Sequence, residues 1–390
     1  MEIALDMKTV GEFQKEIISE INDPENKIYL RIKSKAITKE SYLADLKRRG
    51  LMEGLTEEEI DDVCYLAEKA LWGFGVLDFL INNDDTISDI RLMDENNIRV
   101  KKQGHRESVP IKFNSRAEYE NYIDFITGRN SVNVSISNAA QVFTDKDSSP
   151  TNILRFTLAS ELLNTNDAPT LLIRKIPKKK KTFKQLLSEN YLTKEQMDYL
   201  VKKWRDGKSI LVCGPNGSGK TTFINALLET TPHEKSAVVI QESEELFCDS
   251  HPEMVFRKIV PARNNANFYY DLKALGTLAL MESFDIMVVG EIKGGEAANL
   301  AYATYTGSQC MTSVHSNSAY EGFNKIVDYA LAEQPNRTRE HFAKQLSSLD
   351  TVIYVADYKI KEIVTLKSFD EKTGDFTFEH VDVKGPEDES

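Results

Sequence analysis

The segment Gly214-Pro215-Asn216-Gly217-Ser218-Gly219-Lys220-Thr221 fits the pattern G-x-x-x-x-G-K-[ST] at every position. An apolar strand pattern, Ser209–Cys213, precedes it, and an amphipathic helix pattern, Thr221–Leu228, follows. Glycines at these positions let backbone N–H groups turn inward around phosphate oxygens. The start of the following helix adds positive partial charge. Lys220 suits the β- and γ-phosphates of a nucleotide, and the Thr221 hydroxyl suits Mg²⁺. Thr222 completes the set of binding candidates. ATP and Mg²⁺ are the ligands this loop predicts.

Such a loop needs a carboxylate at the end of a neighbouring strand. Ile286-Met287-Val288-Val289-Gly290-Glu291 places Glu291 at the carboxyl end of a buried strand, where open α/β sheets bind ligands. Glu291 is the candidate for organising metal and water. Glu242, Glu244 and Glu245 follow the apolar run Val238-Val239-Ile240. If that strand continued, alternation would put Glu242 and Glu244 on one face. Glu242 and Glu245 are the candidates for polarising an attacking water. Thr312-Ser313-Val314-His315 ends another strand, so His315 sits where a γ-phosphate sensor could sit.

These residues require a parallel sheet to bring their strand ends together. From Ser188 onward, helix and strand patterns alternate, which predicts a mainly parallel sheet covered by helices. Strand runs fall at Ala237–Gln241, Ile286–Val289 and Gln309–Val314. Closing strands fall at Thr351–Val355, Ile363–Phe369 and Phe376–His380, the last two joined across Thr373-Gly374-Asp375. Thr193 and Gln196 form a capping box before a helix with Leu200 and Trp204 on its apolar face. Residues 71–176 read as a smaller mixed α/β domain. Ile87–Met93 and Ile98–Lys102 form a hairpin there, and Leu154–Leu158 and Leu171–Ile176 are further strands. Residues 1–70 read as a helical extension, with Ile60, Val63, Cys64 and Ala67 on one face. Pro177 and the run Lys178–Lys181 mark a linker over residues 177–187. The glycine-loop domain then spans 188–383, with a frayed tail at 384–390.

Of 390 residues, 49 are Lys or Arg and 61 are Asp or Glu, giving a net charge of −12. This balance speaks against electrostatic coating of nucleic acid or anionic lipid. The four cysteines are scattered, which suits a reducing cytoplasm and no zinc ribbon. Met1–Gln14 lacks the apolar core of a signal peptide. No apolar run approaches the ~20 residues that span a bilayer.

Taken in order, the glycine loop, the acidic cluster, Val-Val-Gly-Glu291-Ile-Lys-Gly-Gly-Glu296-Ala and Thr-Ser-Val-His315-Ser-Asn-Ser-Ala resemble the type II/type IV secretion and pilus traffic ATPases. Their signatures are a Walker A loop, an Asp box, a Walker B box with Gly-Glu, and a His box. The Gly-Gly-Glu296-Ala segment is similar to the tight-adherence pilus and conjugation-type branch. Gly73-Phe74-Gly75-Val76-Leu77 is similar to the entry into that family's N-terminal domain. The likeness covers roughly 71–366.

The resemblance implies a RecA-like ATPase domain, a homohexameric ring and nucleotide held between two domains. It also implies an inner-membrane platform as partner and a cytoplasmic location against the membrane through protein contacts. Arg155-Phe156-Thr157 and Ile173-Arg174-Lys175 approximate the family's arginine strands, which implies that Arg155 and Arg174 reach nucleotide phosphates. The chain departs from the pattern at Gln241, where relatives carry an acid, and at Lys293, where Arg is usual. It also lacks arginines before the Walker B strand, a deficit that Arg257 and Arg263 partly offset. Two other classes compete: a nucleic-acid-stimulated motor on the same core, and a nucleotide-responsive ring with weak hydrolysis.

Overall fold

The computed structural model describes residues 9–26, 28–102, 104–260, 270–370, 372 and 375–385. Arg263, the turn residues 373–374 and most of the tail therefore lie outside the described residues. The chain divides into two compact units, Met1–Lys179 and Lys180–Ser390.

The first unit begins with four helices: α1 (Val10–Asn22), α2 (Ile28–Lys33), α3 (Lys39–Met52) and α4 (Glu57–Leu71). Thr9, Thr38 and Thr56 close capping boxes before α1, α3 and α4, so each helix start is written locally. The helices have a core of their own, in which Phe13, Ile17 and Ile21 meet Leu46, Ile60, Val63 and Ala67. The amphipathic stripe on α4 was legible in the sequence; α1 and α3 were not.

A six-stranded antiparallel sheet follows, in the order β3-β2-β1-β6-β5-β4. Its strands are β1 (Ile87–Leu92), β2 (Ile98–Lys102), β3 (His105–Ser108), β4 (Ala140–Asp145), β5 (Asn152–Ala159) and β6 (Thr170–Pro177). The expected hairpin is β1 with β2. Strands β3 and β4 add an unpredicted edge on each side. One face of this sheet is apolar: Ile90, Val100, Phe156 and Ile173 pack with Tyr119, Ile123 and Ile126 of the helix Arg116–Arg129. Lys175 also points to this side. Its ammonium donates to the Leu80 and Asp84 carbonyls at 2.8 and 2.7 Å, so it is a structural cation.

The second unit holds an eight-stranded sheet, in the order β14-β13-β12-β7-β11-β10-β8-β9. Its strands are β7 (Ile210–Cys213), β8 (Ala237–Gln241), β9 (Met254–Lys258), β10 (Ile286–Val289), β11 (Gln309–Val314), β12 (Thr351–Ala356), β13 (Lys359–Asp370) and β14 (Asp375–His380). The strands from β12 through β9 run parallel, as the alternating pattern predicts, and β13 and β14 extend the sheet antiparallel. Strands β7, β8 and β10 are buried on both faces, which is why they read as unbroken apolar runs. The carboxyl ends of β7, β8, β10 and β11 lie side by side and carry every chemistry-bearing motif of this unit.

Ile17 is fully buried in the N-terminal helical core. Ile17→Ala is expected to cost about 2–5 kcal/mol, measured as a shift of the first unit's urea transition.

Candidate functional site

The loop after β7 folds around its own lysine. The Lys220 ammonium donates to the carbonyls of Gly214 and Pro215, both at 2.9 Å, and lies 2.9 Å from His315 Nδ1. With the ammonium donating, Nδ1 is the acceptor and the imidazole proton sits on Nε2. That Nε2 lies 2.6 Å from Glu291 Oε1. Glu291 Oε2 lies 3.3 Å from Lys293 Nζ, which in turn meets Glu242 Oε2 at 2.5 Å. A single chain of polar contacts thus runs Lys220–His315–Glu291–Lys293–Glu242 across the strand ends.

The electrostatics follow from burial and neighbours. Burial pushes the Lys220 ammonium down to about 8, against the opposing pull of Glu291. Burial pushes the Glu291 carboxyl up, but the contact with His315, then the Lys293 ammonium, outweighs it. Glu291 is therefore held below the usual carboxylate range and is ionised at neutral pH. Burial pushes Lys293 down, and its bonds to Glu242 and Glu291 more than restore it, so its net shift is upward.

The cradle fits a phosphate chain. Gly214 has φ +148°, and a Cβ there would stand 2.0 Å from the Val355 carbonyl oxygen. Gly219 has φ +101° and sits between the rings of Tyr191 and Tyr358. Ser218 Oγ is buried with no hydrogen-bond partner among the described residues, a donor awaiting an acceptor. Pro215, Asn216 and Gly217 are exposed at the loop tip, and Thr221 and Thr222 are half-buried at the start of the helix Lys220–Leu228.

The acidic loop differs from the strand extension expected of it. β8 ends at Gln241, so Glu242 and Glu244 do not share a strand face. Glu242 joins Lys293, whereas Glu244 pairs with Lys258 at 2.6 Å. Glu245 is tied through its backbone. Its N–H donates to Gln241 Oε1 at 2.9 Å, and its carbonyl accepts from Asn225 Nδ2 at 2.9 Å. Gln241 is buried and uses both ends of its amide: Oε1 also accepts from Leu246 N–H at 2.7 Å, and Nε2 donates to the Leu246 carbonyl at 2.9 Å. The residue that replaces the family's acid is a loop staple. Arg257 is engaged by Glu282 and brings no charge to the site.

Glu296 is also structural. Its carboxylate accepts from the Lys293 and Gly294 N–H groups at 2.5 and 2.9 Å, fixing the turn that aims Lys293. Arg155 and Arg174 belong to the first unit, where they face each other directly across β5 and β6. Arg174 Nε donates to Asp89 Oδ1 at 3.0 Å.

A family model described as "Type II/IV secretion system protein" matches residues 154–357, more than half of the chain. The chain belongs to that family. It is 28% identical over 266 residues to an uncharacterized protein of Methanocaldococcus jannaschii, covering 67% of this chain and 46% of that protein. It is 28% identical over 170 residues to the type IV secretion system protein VirB11 of Brucella suis, covering 42% of this chain and 46% of that one. The chain spans less than half the length of these curated relatives. The X-ray structure of the Legionella pneumophila ATPase DotB matches at a TM-score of 0.52 and 16% identity, over 75% of this chain and 76% of that one. That likeness confirms the fold: a RecA-like domain preceded by a smaller mixed α/β domain.

Sequence reasoning missed several residues that build the site. Asn225 was visible as a polar residue on an apolar helix. Its Oδ1 accepts from Phe247 N–H at 3.3 Å, binding the acidic loop to the P-loop helix. Lys180 caps the Phe247 ring, 3.6 Å from its centroid. Tyr358 had no local signal, because it reaches Gly219 from a tight turn in which Asp357 and Tyr358 both have positive φ.

Gln241→Glu is expected to leave the Leu246 carbonyl without its donor. The variant should lose about 1–3 kcal/mol in chemical denaturation of the second unit, although it restores the family's acid.

Proposed function

We propose that this chain is an ATP-hydrolysing motor of a secretion, pilus-assembly or conjugation system. It works as a homohexamer on an inner-membrane platform from the cytoplasmic side, held there by protein partners. Among the described residues no helix is long and apolar enough to cross a membrane. The observation that carries the reading is the buried Lys220 ammonium, cradled by two loop carbonyls and linked through His315 to an ionised Glu291.

Each residue has a role that follows from its contacts. The β- and γ-phosphates compete with the Gly214 and Pro215 carbonyls for the Lys220 ammonium, and Ser218 Oγ supplies a further donor. His315, released from Lys220, keeps its contact with Glu291 and stands on the γ-phosphate side as a sensor. Among the described residues no three His, Cys, Asp or Glu side chains converge to hold a metal. Mg²⁺ would be held by the Thr221 hydroxyl and the Glu291 carboxylate together with phosphate oxygens, and it would neutralise phosphate charge. In the reaction, water attacks the γ-phosphorus, the bond to the bridging oxygen breaks, and the water's proton passes to a carboxylate. Glu291 positions that water, and Glu242 and Glu245 are the flanking acids. Gln241 holds the loop that carries them. Arg155 and Arg174 present a paired fork of donors suited to phosphate. Closing on the nucleotide would tie the two units together until the γ-phosphate leaves.

Steady-state turnover and nucleotide titration test this reading. Lys220→Ala should abolish hydrolysis and weaken nucleotide binding at least tenfold; near-normal turnover would place the active site elsewhere. Glu291→Gln should still bind ATP but lose roughly 10²–10⁴ in rate. Arg174→Ala should bind nucleotide at an intact P-loop and turn over far more slowly.

The depressed Lys220 makes a pH prediction. Near pH 8 the nucleotide-free ammonium is partly deprotonated, and phosphate charge raises its affinity for a proton. Nucleotide binding at pH 8–8.5 should therefore take up protons, seen by calorimetry in buffers of different ionisation enthalpy. Lys220→Arg, which stays charged, should abolish the uptake.

A further inference from the structure

The second face of the N-terminal sheet, opposite its apolar core, carries a different chemistry from the rest of this acidic chain. Residues directly opposite one another across strands share a face. Register therefore places Arg91 beside Arg99, Lys101 beside Arg106, and Arg155 beside Arg174 on that one face. Asp89 lies between Arg174 and Lys101 in the same row. Its Oδ1 is bonded to Arg174, and its Oδ2 accepts from Ser88. Asp89 is the only carboxylate on this face among the described strand residues.

Three like-charged pairs stand directly across strands, an arrangement that destabilises a sheet. Arg155 and Arg174 have a proposed role at the nucleotide. Arg91, Arg99, Lys101 and Arg106 have none, and their side chains form no ion pair among the described residues. Arg99 and Arg106 are exposed, and Arg91 and Lys101 are half-buried. Charge on an edge strand can serve to block aggregation, which would account for Arg106 on β3. It does not account for Arg91, because β1 lies inside the sheet between β2 and β6.

Strand spacing puts these four cations within about 5–12 Å of one another. That is comparable with the ~8 Å Debye length at physiological salt, so their fields add. Exposed hydroxyls of Ser108, Thr144 and Thr157 share the same face by register. Arg, Lys, Ser and Thr are the side chains that bind phosphodiester oxygens. No aromatic side chain lies on this face among the described strand residues, so it offers no platform for stacking bases.

We propose that the β1–β2–β3 half of this face binds the phosphate backbone of a nucleic acid, without sequence preference. A membrane is the less suitable polyanion. An anionic bilayer is a plane that meets a whole side of a chain with net charge −12, whereas a duplex is narrow enough to follow one face. The four cations share this face with Arg155 and Arg174, so duplex binding and the proposed closure of that arginine pair on nucleotide use neighbouring parts of one sheet face. Net charge concealed the surface, because a sum over the chain says nothing about how charge is sorted.

The test uses the full chain and a fluorescein-labelled 20-base-pair duplex DNA, followed by anisotropy between about 50 and 200 mM salt. Four phosphate contacts predict a log–log salt slope of about −3 to −4. The double variant Arg99→Gln/Arg106→Gln should weaken binding at least tenfold and flatten the slope by about two. Its melting temperature should be unchanged or higher, because like-charge repulsion is removed. A purely structural role for these residues predicts a lower melting temperature instead. Arg99→Lys/Arg106→Lys should keep most of the binding. Absence of duplex binding by the wild type at 50 mM salt would overturn the proposal. So would duplex binding that the Gln variant leaves unchanged. Sedimentation with phosphatidylglycerol vesicles forms the second arm: vesicle binding abolished by the variant while duplex binding persists would assign the face to lipid and overturn it as well.

Discussion

A single buried ammonium organises the second unit. Lys220 leaves water and must find acceptors, because an unpaired charge at that depth is untenable. It finds them in the two carbonyls of its own loop and in His315. His315 can stand there only because β11 lies beside β7, and it can touch Glu291 only because β10 lies on the other side of β11. Strand order, loop conformation and the placement of the acid thus converge on one requirement, that a cation be satisfied before any phosphate arrives.

The rest of the site is arranged so that no charge stands alone. Lys293 divides itself between Glu291 and Glu242, and Glu296 holds the backbone that aims it. The acidic loop is tied to the P-loop helix by Asn225 and to β8 by Gln241. The phosphate end of this network is thus joined by direct contacts to the loop that carries Glu242 and Glu245. At the loop's far end Lys180 covers Phe247, which brings the first residue of the second unit into the same set of contacts.

Much of this was legible in the primary structure. The parallel strands β7, β8, β10 and β11 are short apolar runs between glycines and polar residues, and their boundaries were read almost to the residue. The candidate residues Glu291 and His315 were readable because each follows the end of such a run, and Lys220 because it stands in the glycine-loop motif. Other features depended on contacts distant in sequence. Gln241 looked like a lost acid, since its hydrogen bonds depend on how the chain turns after it. Tyr358 owes its place to two left-handed residues that no composition signals. The helices α1 and α3 and the edge strands β3, β4 and β9 carry weak periodicity, and packing rather than pattern decides them. The basic face was hidden for a related reason: its residues are spread over five strands, and only register unites them.

Gln241 also bears on how a sequence like this one can change over time. An acid at that position and the present loop are alternatives, since the Leu246 carbonyl is satisfied by an amide that no carboxylate can imitate. A lineage that has adopted the amide stands behind a small barrier. Return to the acid leaves that carbonyl without its donor unless the loop changes as well. Single-site comparison among relatives would score the position as a tolerated swap, when its cost lies in a backbone carbonyl that the amide satisfies.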